Sequence, residues 1–245
     1  MFDTVNMYLP GRKGEFADVP KRLENCQART NAVTGELQSY EGKIGGLNIR
    51  ITRACLWIEK SLWKYAKGNN LTPFTRRETK DAIMQLSEAL GVNIAEARVS
   101  RLDTAMNVIL SRTPPEYFRL LGHSPCYKTR SFTRGGALEY TGSDVDSAQP
   151  EILNPGTLYF ETKRRTLCLY DKKGQMHVER EEIPAAYDAA NVLRFELRYL
   201  KKISEQLRRP VFLRNLADGD FRNTIVNNLE NEYQKNIKGT RHEKF

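Results

Sequence analysis

The sequence predicts an α+β fold in which a mainly antiparallel central sheet has helices packed on one face and a polar surface on the other. Several segments alternate apolar and polar residues with a period of two, which is typical of half-buried strands. The clearly capped helices are few and do not alternate regularly with those strands, so the order of elements does not fit repeated βαβ units. A chain of 245 residues has room for one large domain or two small ones.

The N-terminal part is predicted to be mainly β-structure. A first strand occupies the first ten residues and ends at Pro10-Gly11, and no element is predicted from there to about Gly35. Two glycines at 45–46 indicate a turn between the next two strands. Three strand segments are predicted after Gly35: 36–40, 47–51 and 54–63.

Three helices are indicated by their terminal residues. Thr75 and Glu78 have the spacing of a capping box, and Gly91 stands where a left-handed C-cap ends such a helix. The proline pair at 114–115 opens a shorter helix that runs to Leu121. The third helix begins after Asp220 and carries an apolar residue at every fourth position: Phe221, Ile225, Leu229, Tyr233 and Ile237.

Three further strands each carry polar residues on one face. They span 98–110, 157–172 (as a hairpin) and 192–199, and alternate residues of a strand point to opposite sides of its sheet. Apolar side chains such as Leu102 and Phe195 are assigned to the core. The opposite faces hold Arg101 and Asp103 on the first strand, Tyr170 and Lys172 on the second, and Arg194, Glu196 and Arg198 on the third.

If these strands join one sheet, Asp103, Tyr170, Lys172 and Glu196 converge on one surface. Two carboxylates can bind Mg²⁺ or Mn²⁺, and the cation would polarise a phosphodiester that a tyrosine hydroxyl attacks. Lys172 would favour the phenolate or hold the phosphate. On alternation alone, an ordinary solvent-exposed face of an antiparallel sheet with cross-strand ion pairs accounts better for the pattern.

The charge balance indicates a polyanionic partner. The 39 lysines and arginines exceed the 30 acidic residues by 9, which suits nucleic acid. No apolar run is long enough for a membrane helix, and the N-terminus lacks the layout of a secretory signal. The four cysteines form no CxxC pair and fit a reducing cytoplasm rather than a zinc ribbon or disulfide framework.

Short motifs in a fixed order carry a family resemblance. They are Ser-Arg-Leu-Asp at 100–103, Gly-Thr-Leu-Tyr-Phe at 156–160, Leu-Cys-Leu-Tyr-Asp-Lys at 167–172 and Leu-Arg-Phe-Glu-Leu-Arg at 193–198. Together with the opening Met-Phe-Asp, this order resembles the rolling-circle replication initiators, most closely the gene II/X replication proteins of filamentous phages and plasmids. The resemblance covers about residues 1–205, which are expected to form the nicking domain. Residues 206–245 are expected to form a C-terminal helical segment with a basic tail.

The resemblance implies a chain that nicks one strand of supercoiled origin DNA and later rejoins the displaced strand. Tyr170, in the Tyr-x-Lys motif, would be the nucleophile and Lys172 its partner. Asp103 and Glu196 would be the ligands of Mg²⁺ or Mn²⁺, and Glu161 is a further candidate ligand. The resulting 5′-phosphotyrosyl ester would leave a 3′ hydroxyl for the polymerase.

Many other rolling-circle initiators hold their metal ion with a His-hydrophobic-His motif. The histidines here are His123, His177 and His242, and no two of them have that spacing. The resemblance therefore implies a cation bound by carboxylates.

The expected partners are the supercoiled origin, the single-stranded product, and the host replication helicase and polymerase in the cytoplasm of a bacterial cell. Two alternatives stay open: a non-catalytic origin-binding or regulatory protein on the same scaffold, and a mobilisation relaxase with the same chemistry at another origin. Six basic residues are expected to contact DNA: Arg101, Arg194, Arg198, Lys163, Arg164 and Arg165.

The tryptophans Trp57 and Trp63 have two interpretations. Either indole could stack on the bases of a nucleic acid. Burial against the sheet is the favoured interpretation for both.

Overall fold

The computed structural model describes residues 2–118, 127–133, 138–140 and 155–234. The predicted α+β class is confirmed, and the strand pairings are antiparallel. The chain forms two compact units, each assembled from two segments. The first contains Met1–Asp103 and Leu200–Asn223, and the second contains Thr104–Tyr199 and Thr224–Phe245. The predicted division after residue 205 concerns function and stays a prediction.

The first unit is a sheet with helices and the returning segment 200–223. Its strands are β1 (Phe2–Pro10), β2 (Glu24–Thr30), β3 (Leu37–Ile44), β4 (Leu47–Ile51), β5 (Cys55–Glu59) and the first residues of β6 (Arg98–Leu110). Their order in the sheet is β2-β3-β4-β5-β1-β6. The helices are α1 (Leu62–Lys67), α2 (Arg76–Leu90), α5 (Ile203–Gln206), the start of α6 (Gly219–Tyr233) and 3-10 turns at Val19–Arg22 and Leu213–Ala217.

Alternation along the strands builds the core of the first unit. Val5, Met7, Ile49, Leu56 and Ile58 are at most 2% exposed, and the residues between them lie on the opposite, more accessible face. The apolar stripe of α2 is buried as its spacing predicts. The expected capping box of α2 and its left-handed C-cap glycine are both present.

The second unit contains the later residues of β6 and the remainder of α6. Its other elements are α3 (Pro114–Phe118), β7 (Lys128–Thr133), β8 (Leu138–Tyr140), β9 (Pro155–Glu161), β10 (Arg165–Asp171), α4 (Lys172–Glu179), a 3-10 turn at Ala185–Tyr187 and β11 (Asn191–Tyr199). The strand order is β6-β11-β10-β9-β7-β8. The core includes Leu158, Phe160, Leu167, Leu197 and Tyr199, each at most 4% exposed.

Two strand predictions are wrong at their ends. The segment 54–63 was expected to be one strand, but β5 ends at Glu59, and the Ser61 hydroxyl accepts a hydrogen bond from Lys64 N to cap α1. The predicted strand 157–172 is the hairpin β9–β10, but it ends at Asp171 and Lys172 begins α4. The end of the predicted helix 114–121 and residue Ile237 lie outside the described residues.

Across the part of the chain that the structure describes, no helix combines the length and apolar character needed to cross a membrane.

Candidate functional site

The strand register of the second unit places several polar residues on one face. Tyr170 pairs with Arg194 across β10 and β11, and Cys168 pairs with Glu196 in the same way. Directly paired residues of antiparallel strands point to the same side of the sheet. Tyr170, Arg194 and Glu196 therefore share a face.

Glu196 is the centre of this face. The Tyr170 hydroxyl donates to Glu196 Oε2 at 3.1 Å, and Arg194 Nε donates to the same oxygen at 3.4 Å. Arg198 Nε donates to Glu196 Oε1 at 2.7 Å. Each carboxylate oxygen of Glu196 thus accepts a hydrogen bond from an arginine.

The face is buried instead of open. Arg194 is 0% exposed, Glu196 3% and Tyr170 8%. Arg194 Nη1 also donates to Asn107 Oδ1 at 3.1 Å. The expected contact between Arg194 and DNA is therefore corrected, because a guanidinium without exposed surface is held inside the unit.

A cavity of about 250 Å³ opens onto Tyr170. Tyr159 and Arg198 line it together with Tyr170, and Arg198 lies 5.8 Å from the centroid of the Tyr159 ring. Helix α4 contributes Gln175 and other residues to the same wall. Tyr170 thus lines a pocket next to α4, although only 8% of its surface is exposed.

Helix α4 follows directly from the strand that carries Tyr170. The Asp171 carboxylate accepts a hydrogen bond from Gly174 N at 2.9 Å and so caps the helix. Lys172 is 0% exposed, and its Nζ donates to Gln175 Oε1 at 2.8 Å. Lys172 is therefore a buried residue of the first turn of a helix, and its role as partner of Tyr170 stays a prediction.

Burial shifts the titration of two neighbours of Tyr170. It raises the pKa of Tyr159 to about 12 and that of Cys168, which is 0% exposed, to about 12. Both groups stay protonated at neutral pH, and a thiol or phenol reacts chiefly as its anion.

Asp103 belongs to the first unit and is 1% exposed. Arg101 binds it with two hydrogen bonds, Nε to Oδ1 at 2.9 Å and Nη2 to Oδ2 at 2.6 Å. This is the fork geometry in which guanidinium and carboxylate pair most strongly.

The expected cation ligands do not fit a divalent ion in this arrangement. Both oxygens of Asp103 and both oxygens of Glu196 already accept hydrogen bonds from arginines. Glu161, the further candidate, lies on β9 opposite Thr166. Within the described ranges, no group of three or more histidine, cysteine or acidic side chains is placed to hold a metal ion.

The basic residues of the β9–β10 turn have different environments. Lys163 and Arg164 are exposed. Arg165 contacts Glu232 at 2.5 Å, and its guanidinium lies 5.6 Å from the centroid of the Tyr199 ring. Lys163 and Arg164 are thus the turn residues accessible to a polyanion.

Two residues that bind the predicted site residues were not themselves predicted. Asn107 accepts a hydrogen bond from Arg194, and Gln175 accepts one from Lys172. Asn107 lies on β6 at the same parity as Asp103, so the alternation pattern could have identified it. Gln175 lies on a helix that no pattern in the sequence indicated.

The second unit thus carries a buried Tyr–Glu–Arg cluster, and the chain as a whole has a net charge of +9. The family model that describes the N-terminal region of the gene II replication-associated protein of phages matches residues 1–232. The chain therefore belongs to this family of phage replication-associated proteins, which confirms the resemblance to gene II-type proteins. A search of curated proteins finds no match.

Proposed function

We propose that this replication-associated protein nicks one strand of origin DNA with Tyr170 and so initiates rolling-circle replication. The observation that supports the proposal most is the hydrogen bond from the Tyr170 hydroxyl to Glu196 Oε2, 3.1 Å long, at the wall of a cavity. A phenol that donates to a carboxylate has its oxygen positioned and a proton acceptor in place.

The proposed step is a phosphoryl transfer. The Tyr170 oxygen forms a bond to the scissile phosphorus, and the bond from phosphorus to the 3′ oxygen breaks. The phenolic proton passes to Glu196, and the departing 3′ oxygen takes up a proton to become a hydroxyl. The 5′ phosphate stays joined to Tyr170, which keeps the ester available for later rejoining.

Arg198 is the residue proposed to hold the phosphate. It lines the cavity beside Tyr170, and its guanidinium is charged at all relevant pH values. A cavity of about 250 Å³ is smaller than the roughly 300–1,000 Å³ of typical ligand sites. A phosphodiester group is small enough to enter it.

The divalent cation implied by the resemblance stays a proposal, and no step above depends on it. Asp103 and Glu196 would have to exchange arginine for metal before they could act as its ligands. Nicking assays with Mg²⁺ or Mn²⁺ and with EDTA test this. Loss of activity in EDTA supports the cation, and full activity in EDTA contradicts it.

The wider role proposed for the chain follows from the family. Supercoiled origin DNA would be the substrate. Its backbone would be contacted by Lys163 and Arg164 at the exposed turn and by Arg101. The host helicase would then unwind the duplex, and the host polymerase would extend the 3′ end. This would take place in the cytoplasm of a bacterial host.

The deciding experiment compares Tyr170→Phe with Tyr159→Phe on supercoiled origin plasmid. Tyr170→Phe should abolish open-circular product and the covalent protein–DNA adduct, and should leave gel-shift affinity nearly unchanged. Tyr159→Phe is the matched control, because Tyr159 lines the same cavity, and should still nick. An adduct formed by Tyr170→Phe would overturn the assignment.

A second candidate function is non-catalytic binding or regulation at the origin. The 8% exposure of Tyr170 favours it, because a buried hydroxyl is poorly placed to attack a polymer. A salt-sensitive gel shift by the unaltered chain, with no open-circular product in Mg²⁺ or Mn²⁺, would support this candidate.

A further inference from the structure

Three side chains form a row across the more accessible face of the first unit. Tyr8 on β1 pairs with Trp57 on β5, and Trp57 pairs with Arg50 on β4. The rings of Tyr8 and Trp57 are stacked with centroids 5.0 Å apart, and the Arg50 guanidinium lies 5.2 Å from the Trp57 centroid. We call these three residues the aromatic row.

The aromatic row is accessible to solvent. Tyr8 and Trp57 are half-buried and Arg50 is exposed. The alternate residues of the same strands, such as Met7, Ile49 and Leu56, form the core behind the row. The other tryptophan, Trp63, is only 2% exposed and is stacked on Phe74. Burial is thus complete for Trp63 and only partial for Trp57.

The charge around the aromatic row is suited to a phosphate backbone. Within the described residues, Arg50 makes no ion pair, and Glu41 lies directly opposite it on β3. The neighbouring acid Glu41 is paired with Arg29.

We infer that the aromatic row binds single-stranded DNA by stacking unpaired bases. Every base has a π-face that stacks on tyrosine, tryptophan or the arginine plane, and such contacts tolerate any sequence. In a duplex these faces are covered by neighbouring bases, so the row distinguishes single strands from duplex DNA. The binding is independent of Tyr170 and of nicking.

Two alternative roles of the aromatic row would have different consequences. A purely structural cross-strand pair would affect stability and not DNA affinity. A contact with a second copy of the chain would change the oligomeric state. Single-stranded DNA is favoured because the row combines stacked rings with an exposed arginine in a chain of net charge +9.

The test uses Tyr170→Phe/Trp63→Phe as background, so that nicking is blocked and Trp57 is the sole tryptophan. A 12-nucleotide oligo(dT) should quench Trp57 fluorescence at lower concentration than a duplex of the same length. Tyr8→Ala and Arg50→Gln should each weaken oligo(dT) binding by about 5- to 150-fold, the range measured for loss of one base-stacking contact. Trp57→Phe keeps an aromatic ring and should therefore lose less affinity for oligo(dT) than Trp57→Ala. Because both variants lack the fluorescent indole, their binding is measured by the anisotropy of a labelled strand.

Arg77→Gln is the matched charge control. Arg77 lies on α2 and its side chain is 93% exposed, so the substitution removes the same charge from another surface. Equal weakening by Arg77→Gln and Arg50→Gln would overturn the inference, because overall charge would then account for the binding. Unchanged oligo(dT) affinity of folded Tyr8→Ala and Trp57→Ala would also overturn it. So would a change in the oligomeric state of these variants, measured by sedimentation, without any change in oligo(dT) affinity.

Discussion

Glu196 has two roles that depend on the same oxygen atom, Oε2. It accepts the hydrogen bond from Tyr170, and it neutralises the fully buried guanidinium of Arg194. A buried guanidinium is tolerated only when charge and hydrogen bonds compensate for its lost hydration. The cluster that supports the proposed chemistry is therefore also a structural element of the second unit.

Glu196→Gln should destabilise the protein substantially. The amide keeps the shape of the side chain but removes its negative charge, so Arg194 loses a buried counter-charge. Removing one partner of a buried ion pair typically costs about 3–5 kcal/mol. We expect the lower end, about 3 kcal/mol, because Asn107 still accepts a hydrogen bond from Arg194. Urea unfolding followed by circular dichroism measures the change.

Asp81→Asn is the control for Glu196→Gln. Asp81 pairs with Arg77 on the surface of α2 at 4.0 Å, with side chains 51% and 93% exposed. Such a pair contributes about 0.5 kcal/mol or less. If Glu196→Gln were no more destabilising than Asp81→Asn, Glu196 would not be needed to compensate the buried charge of Arg194.

At the scale of elements, the start of α2 shows how local contacts define a helix end. Thr75 N donates to Glu78 Oε2 at 2.7 Å, and Glu78 N donates to Thr75 Oγ1 at 3.2 Å. Lys67 on α1 adds an ion pair to Glu78 at 2.6 Å. The ion pair with Lys67 and the bonds to Thr75 lower the pKa of Glu78 from 4.5 to about 2.

The stabilisation from Glu78 should depend on pH in a defined direction. A pKa lowered in the folded state means that the ionised carboxylate stabilises the fold. That contribution is complete above about pH 4.5 and is lost as the pH falls towards 2. The difference in free energy of unfolding between the unaltered chain and Glu78→Gln should therefore shrink over this interval. Urea unfolding at about pH 7, 4 and 3 measures it.

Thr75→Ala separates the capping hydroxyl from the carboxylate. It should cost about 1 kcal/mol through the lost N-cap, and that loss should persist at the acid end of the series, because a hydroxyl does not titrate there. A Glu78→Gln difference that stayed constant across the whole pH series would contradict the electrostatic account.

Elements defined by local signals were predictable from the sequence, and elements defined by neighbours were not. The caps of α2 depend on Thr75, Glu78 and Gly91, which lie at the ends of the helix itself. By contrast, every residue of β2 is exposed, so no alternation marks it. Helix α4 begins directly where β10 ends, and its cap is the hydrogen bond from Gly174 N to Asp171 Oδ1. The start of the helix was missed because the strand pattern was extended to residue 172.

The same distinction applies to the candidate site. The alternation of Arg194, Glu196 and Arg198 predicted that they share a face. The register of β10 and β11 places Tyr170 on the same face. Their burial was not predictable, because it depends on distant segments packed over that face. The occupation of both Glu196 oxygens by arginines is likewise a three-dimensional fact, and it is what argues against the expected cation ligands.

At the scale of the whole molecule, the two units are interleaved along the chain. The sequence passes from one unit to the other after residues 103, 199 and 223. Segment 200–223 completes the core of the first unit, where Val211, Leu213, Leu216 and Phe221 are at most 2% exposed. The Phe221 ring lies 6.0 Å from that of Phe2, and Leu213 N donates to Ala97 O. The first unit is therefore incomplete without residues that come late in the sequence.

This interleaving predicts that a chain cut after residue 205 does not fold, although the family resemblance was seen over 1–205. The truncation removes four buried apolar side chains of the first unit: Val211, Leu213, Leu216 and Phe221. At roughly 1.5–3 kcal/mol each, they contribute about 6–12 kcal/mol, which is comparable to the whole stability of a typical domain. A chain of residues 1–234 is the matched control, because it retains every described residue and should unfold at the same urea midpoint as the full chain. A cooperative transition of 1–205 at that midpoint would contradict the prediction, because segment 206–234 would then be a dispensable appendage.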